Sequence, residues 1–343
     1  APMIFSGFWE LHISLVLACI LALLILFKHN QSGYRIIFLR INFYASKRYL
    51  SFIGTIGLFF LLYVLKNNIT SMKRPSIFST RSFLGVLHVF EYQKGTNNHF
   101  RILKHGRTGH GVQWISETNK NQPTAYYGNC SGAALAINQF PSKNSKLKIG
   151  AIGMGIGTIA AYGQKNDSIR FYEINQDVNQ IAKDYFSYIQ NSKANIEVII
   201  GDARQTLENE LLIPGPRQYD IMLVDAFNGD AIPTHLLTQE ASDLYWKHLH
   251  KDGILAFHIT NKQFDLSDII RQLAIHANKK AIPIIDDGEC DEYSVENYWI
   301  LITENEVFIN NSEVQKVDSK WVNEVKPIIW TDDFNNLFEI VKW

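Results

Sequence analysis

An apolar segment that leads directly into a glycine-rich loop constrains the fold of this chain more than any other feature. Residues 147–152 form an apolar run typical of a buried strand, and Gly-Met-Gly-Ile-Gly follows at positions 153–157. Glycines let a backbone turn tightly and lie close to a ligand. A helix is predicted from Gly157 to about Tyr162, and the first N–H groups of a helix have no partner within it. The pattern indicates a strand–loop–helix unit that binds a ligand, although an ordinary tight turn has the same signature.

Apolar strands and helices alternate after the glycine loop, which is typical of a parallel sheet covered by helices. Strands are predicted at 168–174, 196–200, 219–225, 253–259 and 298–303, and helices at 177–188, 238–249 and 266–277. Ahead of the loop, strands predicted at 83–92, 99–103 and 111–115 indicate a small β-rich unit. The predicted fold class is α/β, with a small β domain at 76–140 and a Rossmann-type, mostly parallel sheet at 141–343.

Polar side chains follow the predicted strands on the carboxyl side of the sheet, where open α/β sheets bind their ligands. Glu173 ends the second strand 20 residues after Gly153, and a carboxylate there can accept hydrogen bonds from both hydroxyls of a ribose. Asp202 follows the third strand, and its carboxylate can receive an adenine amino group or cap the next helix. Asp225 ends the fourth strand. The sequence therefore predicts a nucleoside site formed by Gly153, Gly155, Gly157, Glu173 and Asp202.

Two uncharged apolar runs distinguish the N-terminal part of the chain. They cover residues 11–27 and 50–65. Because a helix that spans a bilayer needs about 20 apolar residues, we interpret residues 1–75 as a membrane segment with transmembrane helices at about 8–27 and 49–66. Two buried core helices are the alternative interpretation. The lipid bilayer of an inner or plasma membrane is thus a predicted partner.

Composition argues against several classes of function. The 33 basic and 33 acidic residues balance, whereas nucleic-acid-binding proteins usually carry a basic excess, so no nucleic-acid partner is predicted. The chain has no HExxH motif and no paired Cys/His spacing of the kind that binds a metal ion, so no metal site is predicted. The three cysteines, at positions 19, 130 and 290, are widely separated, and we predict no disulfide framework.

Several ordered motifs resemble the spermidine synthase family, and more closely its membrane-fused members. They extend over roughly residues 81–337, which is most of the chain beyond the apolar runs. The matching stretches are 105–113, 123–127, 153–157, 171–174, 201–204, 225–237 and 330–334. Residues 1–17 also resemble the end of the multi-helix membrane part of the fused proteins.

The resemblance implies a methyltransferase-like sheet preceded by a small β domain. It also implies a reaction in which an amine attacks the methylene group beside the sulfonium of decarboxylated S-adenosylmethionine, so that methylthioadenosine leaves. In the family pattern Glu173 binds the ribose and Asp202 the adenine, while Asp225 is the catalytic residue that accepts the proton of the attacking amine. Gln113 and Tyr127 line the substrate cleft, and a homodimer is expected because relatives commonly pair.

Two residues depart from the family pattern. Ile156 stands where the glycine loop of aminopropyltransferases usually has an aspartate, and Asn228 replaces the second acid of the Asp-rich substrate motif. Asp230, two residues further on, is a predicted substrate-binding residue that compensates for the second change. The expected activity is that of a membrane-anchored transferase acting on S-adenosylmethionine or its decarboxylated form, with the catalytic domain in the cytoplasm. Methyl transfer, cleavage of S-adenosylmethionine and an inactive subunit of a membrane complex are the alternatives.

Overall fold

The chain divides into two compact units, residues 1–86 and 87–343. The computed structural model describes residues 13–21, 34–38, 41–45, 47–72, 76–106, 108–141, 146–226, 233–317, 321 and 323–342. The domain boundaries that we place at residues 75 and 140 from the sequence stay predictions.

The described residues of the first unit form two helices, a hairpin and a strand. Helix α1 is described over residues 13–21. Strands β1 (Tyr34–Phe38) and β2 (Ile41–Ala45) pair in antiparallel fashion, and helix α2 (Lys47–Met72) and strand β3 (Ser76–Ser82) follow.

The prediction of two transmembrane helices is wrong. In the ranges that the structure describes, no helix is long and apolar enough to cross a membrane. The apolar run at 50–65, which lies within α2, provides only about 24 Å of helix at about 1.5 Å per residue, whereas the hydrocarbon core of a bilayer is about 30 Å thick. Of the first predicted span, 8–27, only residues 13–21 are described. The predicted location in an inner or plasma membrane is contradicted with it.

Three antiparallel strands precede the large sheet. They are β4 (Gly85–Tyr92), β5 (Phe100–His105) and β6 (Thr108–Trp114), and each pairs with the next. Aromatic side chains line the pairs: the rings of Tyr92 and Phe100 stack with centroids 5.1 Å apart, and Phe100 and Trp114 are 5.3 Å apart. Such cross-strand pairs stabilise a sheet, and the three strands predicted for this region are confirmed.

A seven-stranded sheet forms the centre of the second unit, in the order β12-β13-β11-β10-β7-β8-β9. Its strands are β7 (Lys148–Ile152), β8 (Ser168–Glu173), β9 (Asn195–Ile200), β10 (Tyr219–Val224), β11 (Leu249–His258), β12 (Lys280–Asp286) and β13 (Asn297–Thr303). The five strands from β11 to β9 are parallel, and β13 runs antiparallel to both of its neighbours. The prediction of a methyltransferase-like, mostly parallel α/β fold is confirmed.

Helices follow most of the strands. They are α3 (Gly132–Asn138), α4 (Gln176–Tyr185), α5 (Tyr188–Asn191), α6 (Ala203–Leu212), α7 (Gln239–His248), α8 (Ser267–His276), α9 (Glu306–Ile309) and α10 (Ser312–Val317). Short 3₁₀ turns lie at Thr158–Tyr162, Thr234–Leu236 and Leu337–Ile340. Local sequence defines several helix starts: the side chain of Thr238 accepts from the backbone of Ala241 and caps α7. Because helices pack on the sheet, β7 is buried from residue 149 to 152 and β10 from residue 221 to 224, as their apolar sequences predict.

Backbone hydrogen bonds continue past the ends of the central strands. The N–H of Gly201 donates to the carbonyl of Glu173 at 3.0 Å, and the N–H of Asp225 donates to the carbonyl of Ile152 at 2.9 Å. The residues that follow neighbouring strands are therefore held side by side at the carboxyl edge of the sheet.

A disulfide joins Cys130 to Cys290, so the prediction of no disulfide is wrong. The two cysteines are 160 residues apart in sequence, but the fold brings their Cα atoms to 6.2 Å. The approach follows from a contact between two loops, in which the N–H of Ala125 donates to the carbonyl of Tyr293 at 2.7 Å. Since this contact exists only in the folded chain, spacing in the sequence does not reveal it.

Candidate active site

The glycine loop is shaped by close contacts with neighbouring backbone. Gly153 has φ +90°, and a Cβ at this position would lie 2.1 Å from the carbonyl oxygen of Asp225. At Gly155 a Cβ would lie 2.9 Å from the carbonyl oxygen of His110. Only glycine fits in such places. The segment after Gly157 is a 3₁₀ turn instead of the predicted helix. The binding role of Gly153, Gly155 and Gly157 stays a prediction.

Glu173, the last residue of β8, reaches back to the glycine loop. Its Oε2 accepts from the N–H of Met154 at 3.0 Å and its Oε1 accepts from the N–H of Asn175 at 2.8 Å. The side chain is buried. Burial raises the pKa of this carboxyl, although the N–H donors of Asn175 and Met154 oppose the rise. Glu173, the residue predicted to bind the ribose, therefore lies beside the loop, and backbone N–H donors orient its carboxylate.

Asp202 caps a helix, which is one of the two roles that the sequence allows. Its Oδ1 accepts from the N–H of Gln205 at 2.9 Å and caps α6, while its Oδ2 lies 3.0 Å from Nε2 of His235. One carboxylate oxygen thus stabilises the helix and the other faces a half-exposed imidazole. Contact with adenine stays a prediction for this residue.

The C-terminal motif that includes Asp332 meets the segment that follows Asp202. The Arg204 guanidinium forms an ion pair with the Asp332 carboxylate, and the hydroxyl of Thr238 donates to the same carboxylate at 2.9 Å. The hydrogen bond from Arg204 is the largest effect on the pKa of Asp332. It lowers this pKa, and burial opposes the decrease. Asp332 is therefore part of an ion pair that fixes the C-terminal segment to the α6–α7 region.

Asp225, just past the end of β10, lies in a polar cluster whose side chains are largely buried. The hydroxyl of Tyr127 donates to its Oδ2, and Nδ1 of His258 lies 2.8 Å from its Oδ1. The side chains of His258 and Asp225 are 6% and 9% exposed. The structure brings the predicted catalytic carboxylate and the predicted cleft residue Tyr127 into direct contact.

Burial affects the ionisation of this cluster in a definite direction. Burial opposes ionisation of Asp225. Four effects outweigh burial and lower the pKa of this carboxyl: the charge of His258, the hydrogen bonds from His258 and Tyr127, and the charge of His110. Burial and the charge of Asp225 raise the pKa of Tyr126 and Tyr127. Asp225 is therefore ionised and Tyr127 is a proton donor, which is the state a proton acceptor needs before reaction.

Gln113 lies in β6 and is fully buried. Its Oε1 accepts from the N–H of Ser187 at 2.9 Å, and its Nε2 donates to the Lys120 carbonyl at 2.7 Å and to the Ser187 hydroxyl at 2.9 Å. These bonds connect β6 to the start of α5, so in this structure the amide holds elements together. Its predicted place in the substrate cleft stays a prediction.

Ile156, the first departure from the family pattern, is 1% exposed. A Cβ on Gly111 would lie 2.5 Å from Cγ1 of Ile156, so the missing side chain of Gly111 makes room for this isoleucine. An apolar side chain therefore fills the space between the glycine loop and β6. Asn228 and Asp230, the other two residues in question, lie outside the described residues.

Sequence reasoning missed His258, which contacts the predicted catalytic carboxylate of Asp225, and the aromatic side chains that stack on it. His258 ends β11, which lies next to β10 in the sheet, and it stacks on Tyr126 and Trp299. The rule that selects Asp225, a polar residue at the carboxyl end of a strand, also selects His258. Over the ranges that the structure describes, there is no group of three His, Cys, Asp or Glu side chains that could hold a metal ion.

Three comparisons relate the chain to known proteins. No protein-family model matches the sequence. The chain is 31% identical over 213 residues to the polyamine aminopropyltransferase of Vibrio vulnificus, a match that covers 61% of this chain and 68% of that one. It is 26% identical over 215 residues to the N-terminal histidine N-methyltransferase of Emericella nidulans, of whose length the match covers 36%.

The fold has a counterpart among solved structures. A probable spermidine synthase from Corynebacterium glutamicum superimposes with a TM-score of 0.55 at 16% sequence identity, over 71% of this chain and 86% of that one. At this identity the similarity shows the fold alone.

Proposed function

The chain belongs to the polyamine aminopropyltransferase (spermidine synthase) family of transferases, and on that basis we propose that it transfers an aminopropyl group from decarboxylated S-adenosylmethionine to an amine. The observation that supports the proposal most directly is the ionised Asp225 at the carboxyl edge of the sheet, beside the glycine loop and in contact with Tyr127. S-adenosylmethionine itself is the second possible donor.

In the proposed reaction, Asp225 prepares the amine. The substrate enters as an ammonium ion, which the buried carboxylate attracts and orients. The amine nitrogen loses one proton to the carboxylate and attacks the methylene carbon beside the sulfonium. The carbon–sulfur bond breaks, its electron pair stays on sulfur, and methylthioadenosine leaves. Holding the amine and the methylene carbon in line supplies much of the acceleration.

The residues that we propose bind the nucleoside lie at the same edge of the sheet. We assign the ribose hydroxyls to Glu173 and the adenine amino group to Asp202, because their carboxylates follow β8 and β9 in adjacent positions. The glycine loop between β7 and the 3₁₀ turn allows the backbone to approach the nucleoside.

Methyl transfer to nitrogen is the second candidate, and Ile156 favours it. This buried, apolar side chain provides no charge for the free amine of an aminopropyl group. One relative is named as an N-methyltransferase. The proton acceptor would be the same in both reactions, since an amine is alkylated in each.

Product analysis separates these functions. The purified protein is incubated with S-adenosylmethionine or its decarboxylated form, together with diamines, and the sulfur-containing product and the amine are identified by mass spectrometry. Methylthioadenosine with an aminopropylated amine is the expected result, and S-adenosylhomocysteine with a methylated amine would favour the second candidate. Methylthioadenosine without an alkylated amine, or no product at all, would contradict the proposal.

The Asp225→Asn variant tests the role proposed for Asp225. It should bind methylthioadenosine in calorimetry as the unmodified protein does, and its turnover should fall by about 100-fold or more, the range associated with loss of a general base. Full turnover in this variant would exclude the role proposed for Asp225.

A further inference from the structure

Asp225 and His258 meet because of the register of two parallel strands. Val224 of β10 pairs with Phe257 of β11, so the residues that follow them lie next to each other. Nδ1 of His258 is 2.8 Å from Oδ1 of Asp225. A carboxylate can only accept a hydrogen bond, so Nδ1 carries the proton of this contact.

The imidazole of His258 is held on both faces. The ring of Tyr126 stacks on it with centroids 4.5 Å apart and planes 17° apart, and the ring of Trp299 stacks on it at 4.9 Å and 29°. Nε1 of Trp299 donates to the carbonyl of Tyr126 at 3.1 Å, which connects the two outer residues of the stack. This sandwich limits tilting of the imidazole out of its plane, and the hydrogen bond to Asp225 selects the ring flip that places Nδ1 beside the carboxylate.

We propose that His258 is a positioning residue for Asp225: its Nδ1–H fixes Oδ1 of the carboxylate while Tyr127 fixes Oδ2, so that the remaining lone pairs face the amine. This inference rests on the proposed function of Asp225 and adds a residue to it. His258 does not touch the amine in this role; it sets the plane and the charge of the group that does. Misplacement of a reacting group by about 1 Å can cost about 100-fold in rate.

The charged and titratable groups that face Asp225 come from three elements. His258 ends β11, Tyr126 and Tyr127 lie in the loop after β6, and His110 belongs to β6 itself. Burial raises the pKa of Asp225, and the charge and hydrogen bond of His258 are the largest of the opposing effects. Removal of His258 therefore moves the pKa of Asp225 upward, and the acidic limb of kcat/KM moves to higher pH.

Two substitutions separate positioning from packing. His258→Asn keeps an N–H donor near the place of Nδ1 but loses the sandwiched ring. His258→Phe keeps a ring between Tyr126 and Trp299 but loses the donor. If His258 positions Asp225, His258→Phe should lower kcat by about 100-fold, with its acidic limb at higher pH, and His258→Asn should lower it by no more than about 10-fold. His250→Phe, at the opposite, exposed end of β11, is the control.

The opposite order of effects would overturn the inference. If His258→Phe retains kcat and its pH profile while His258→Asn loses both kcat and thermal stability, the residue only fills space. Methylthioadenosine binding, measured by calorimetry, should be the same in both variants, because the change acts on the carboxylate and not on the nucleoside contacts.

A spectroscopic measurement tests the hydrogen bond between His258 and Asp225 even if no amine is alkylated and the proposed function fails. In protein labelled with ¹⁵N-histidine, the Nδ1–H bonded to a carboxylate should give a downfield proton resonance. The inference expects this resonance in the unmodified protein, its loss in His258→Phe and an upfield shift in Asp225→Asn. A spectrum in which Asp225→Asn leaves every histidine resonance unchanged would refute the contact.

Discussion

The carboxylate of Glu173 accepts a hydrogen bond from the backbone N–H of Met154 at 3.0 Å, across the gap between β8 and the glycine loop. The bond joins two segments that are both proposed to bind the nucleoside. A change in this carboxylate therefore affects both the ligand contact and the position of the loop.

Glu173→Gln should weaken nucleoside binding. A glutamine has one acceptor oxygen, whereas Glu173 accepts from Met154 and from Asn175 with different oxygens, so one of these N–H groups faces an NH₂ group. An unsatisfied buried donor costs about 1–3 kcal/mol. Calorimetry with methylthioadenosine checks the expectation. Glu197→Gln on the neighbouring strand, whose side chain is 52% exposed, is the control, and equal affinities in the two variants would exclude the assigned role.

Stability should depend on Glu91 at acidic pH. Burial opposes ionisation of this residue, but hydrogen bonds from Arg101, His99 and Lys94 outweigh it and lower its pKa to about 2. A carboxyl whose folded-state pKa is depressed stabilises the fold above its ordinary pKa, and this contribution is lost as the pH falls toward the folded value. Urea unfolding between neutral pH and pH about 2 measures the loss. Glu91→Gln should be less stable at neutral pH and should show a shallower fall; an identical slope would contradict the assignment.

Reduction of the disulfide should destabilise the second unit. Cys130 and Cys290 are separated by 160 residues, and removing a native disulfide costs about 2–5 kcal/mol because the unfolded chain gains freedom. The unfolding midpoint in urea, measured with and without a thiol reductant, tests this. The double variant with Cys130→Ser and Cys290→Ser should match the reduced protein and should not respond to the reductant. Equal midpoints under both conditions would show that the bond contributes no stability.

Gly153→Ala should be far more harmful than Gly95→Ala, although the two glycines have similar backbone conformations. Their φ angles are +90° and +83°, but a Cβ at Gly153 would lie 2.1 Å from the carbonyl oxygen of Asp225, whereas nothing lies within 4 Å of a Cβ at Gly95. The free energy of unfolding of the Gly95→Ala variant should fall by about 1–2 kcal/mol because of backbone strain alone. The Gly153 variant should lose more than about 3 kcal/mol. Thermal and urea unfolding give both values, and a similar loss in the two variants would show that the Gly153 loop yields easily.

Local sequence was sufficient to predict most of the large sheet. The strands β7, β8, β9, β10 and β11 are short apolar runs bounded by polar or glycine residues, and this signal does not depend on distant contacts. Strand β12 was missed because Pro283 interrupts its pattern. In the structure β12 is at the edge of the sheet, where a residue without an N–H donor is tolerated.

The candidate site was predictable only in the parts that strand ends define. Glu173, Asp202 and Asp225 could be selected because each follows a strand of a parallel sheet. The disulfide and the contact of His258 with Asp225 were not predictable, because both depend on which strands and loops become neighbours. The order of β10 and β11 in the sheet, and the contact between Ala125 and Tyr293, are set by packing of the whole unit.

The two apolar runs in the N-terminal part of the chain led to a prediction of membrane-spanning helices that the structure contradicts. Their hydrophobicity was read correctly, but length decides whether a helix can cross a bilayer. The run at 50–65 is shorter than that requirement, and the described residues contain no spanning helix.

The distribution of the polar residues over separate strand ends has an evolutionary consequence. Each strand is held by its own apolar interior, so a substitution at the residue that ends it leaves the strand in place, even though contacts such as Asp225–His258 and Glu173–Met154 change. His258 at the end of β11 and Ile156 in the glycine loop are two positions where a change alters the surroundings of the candidate site and not the order of the strands. Folds of this kind can therefore come to serve different chemistries through changes at the carboxyl edge of the sheet.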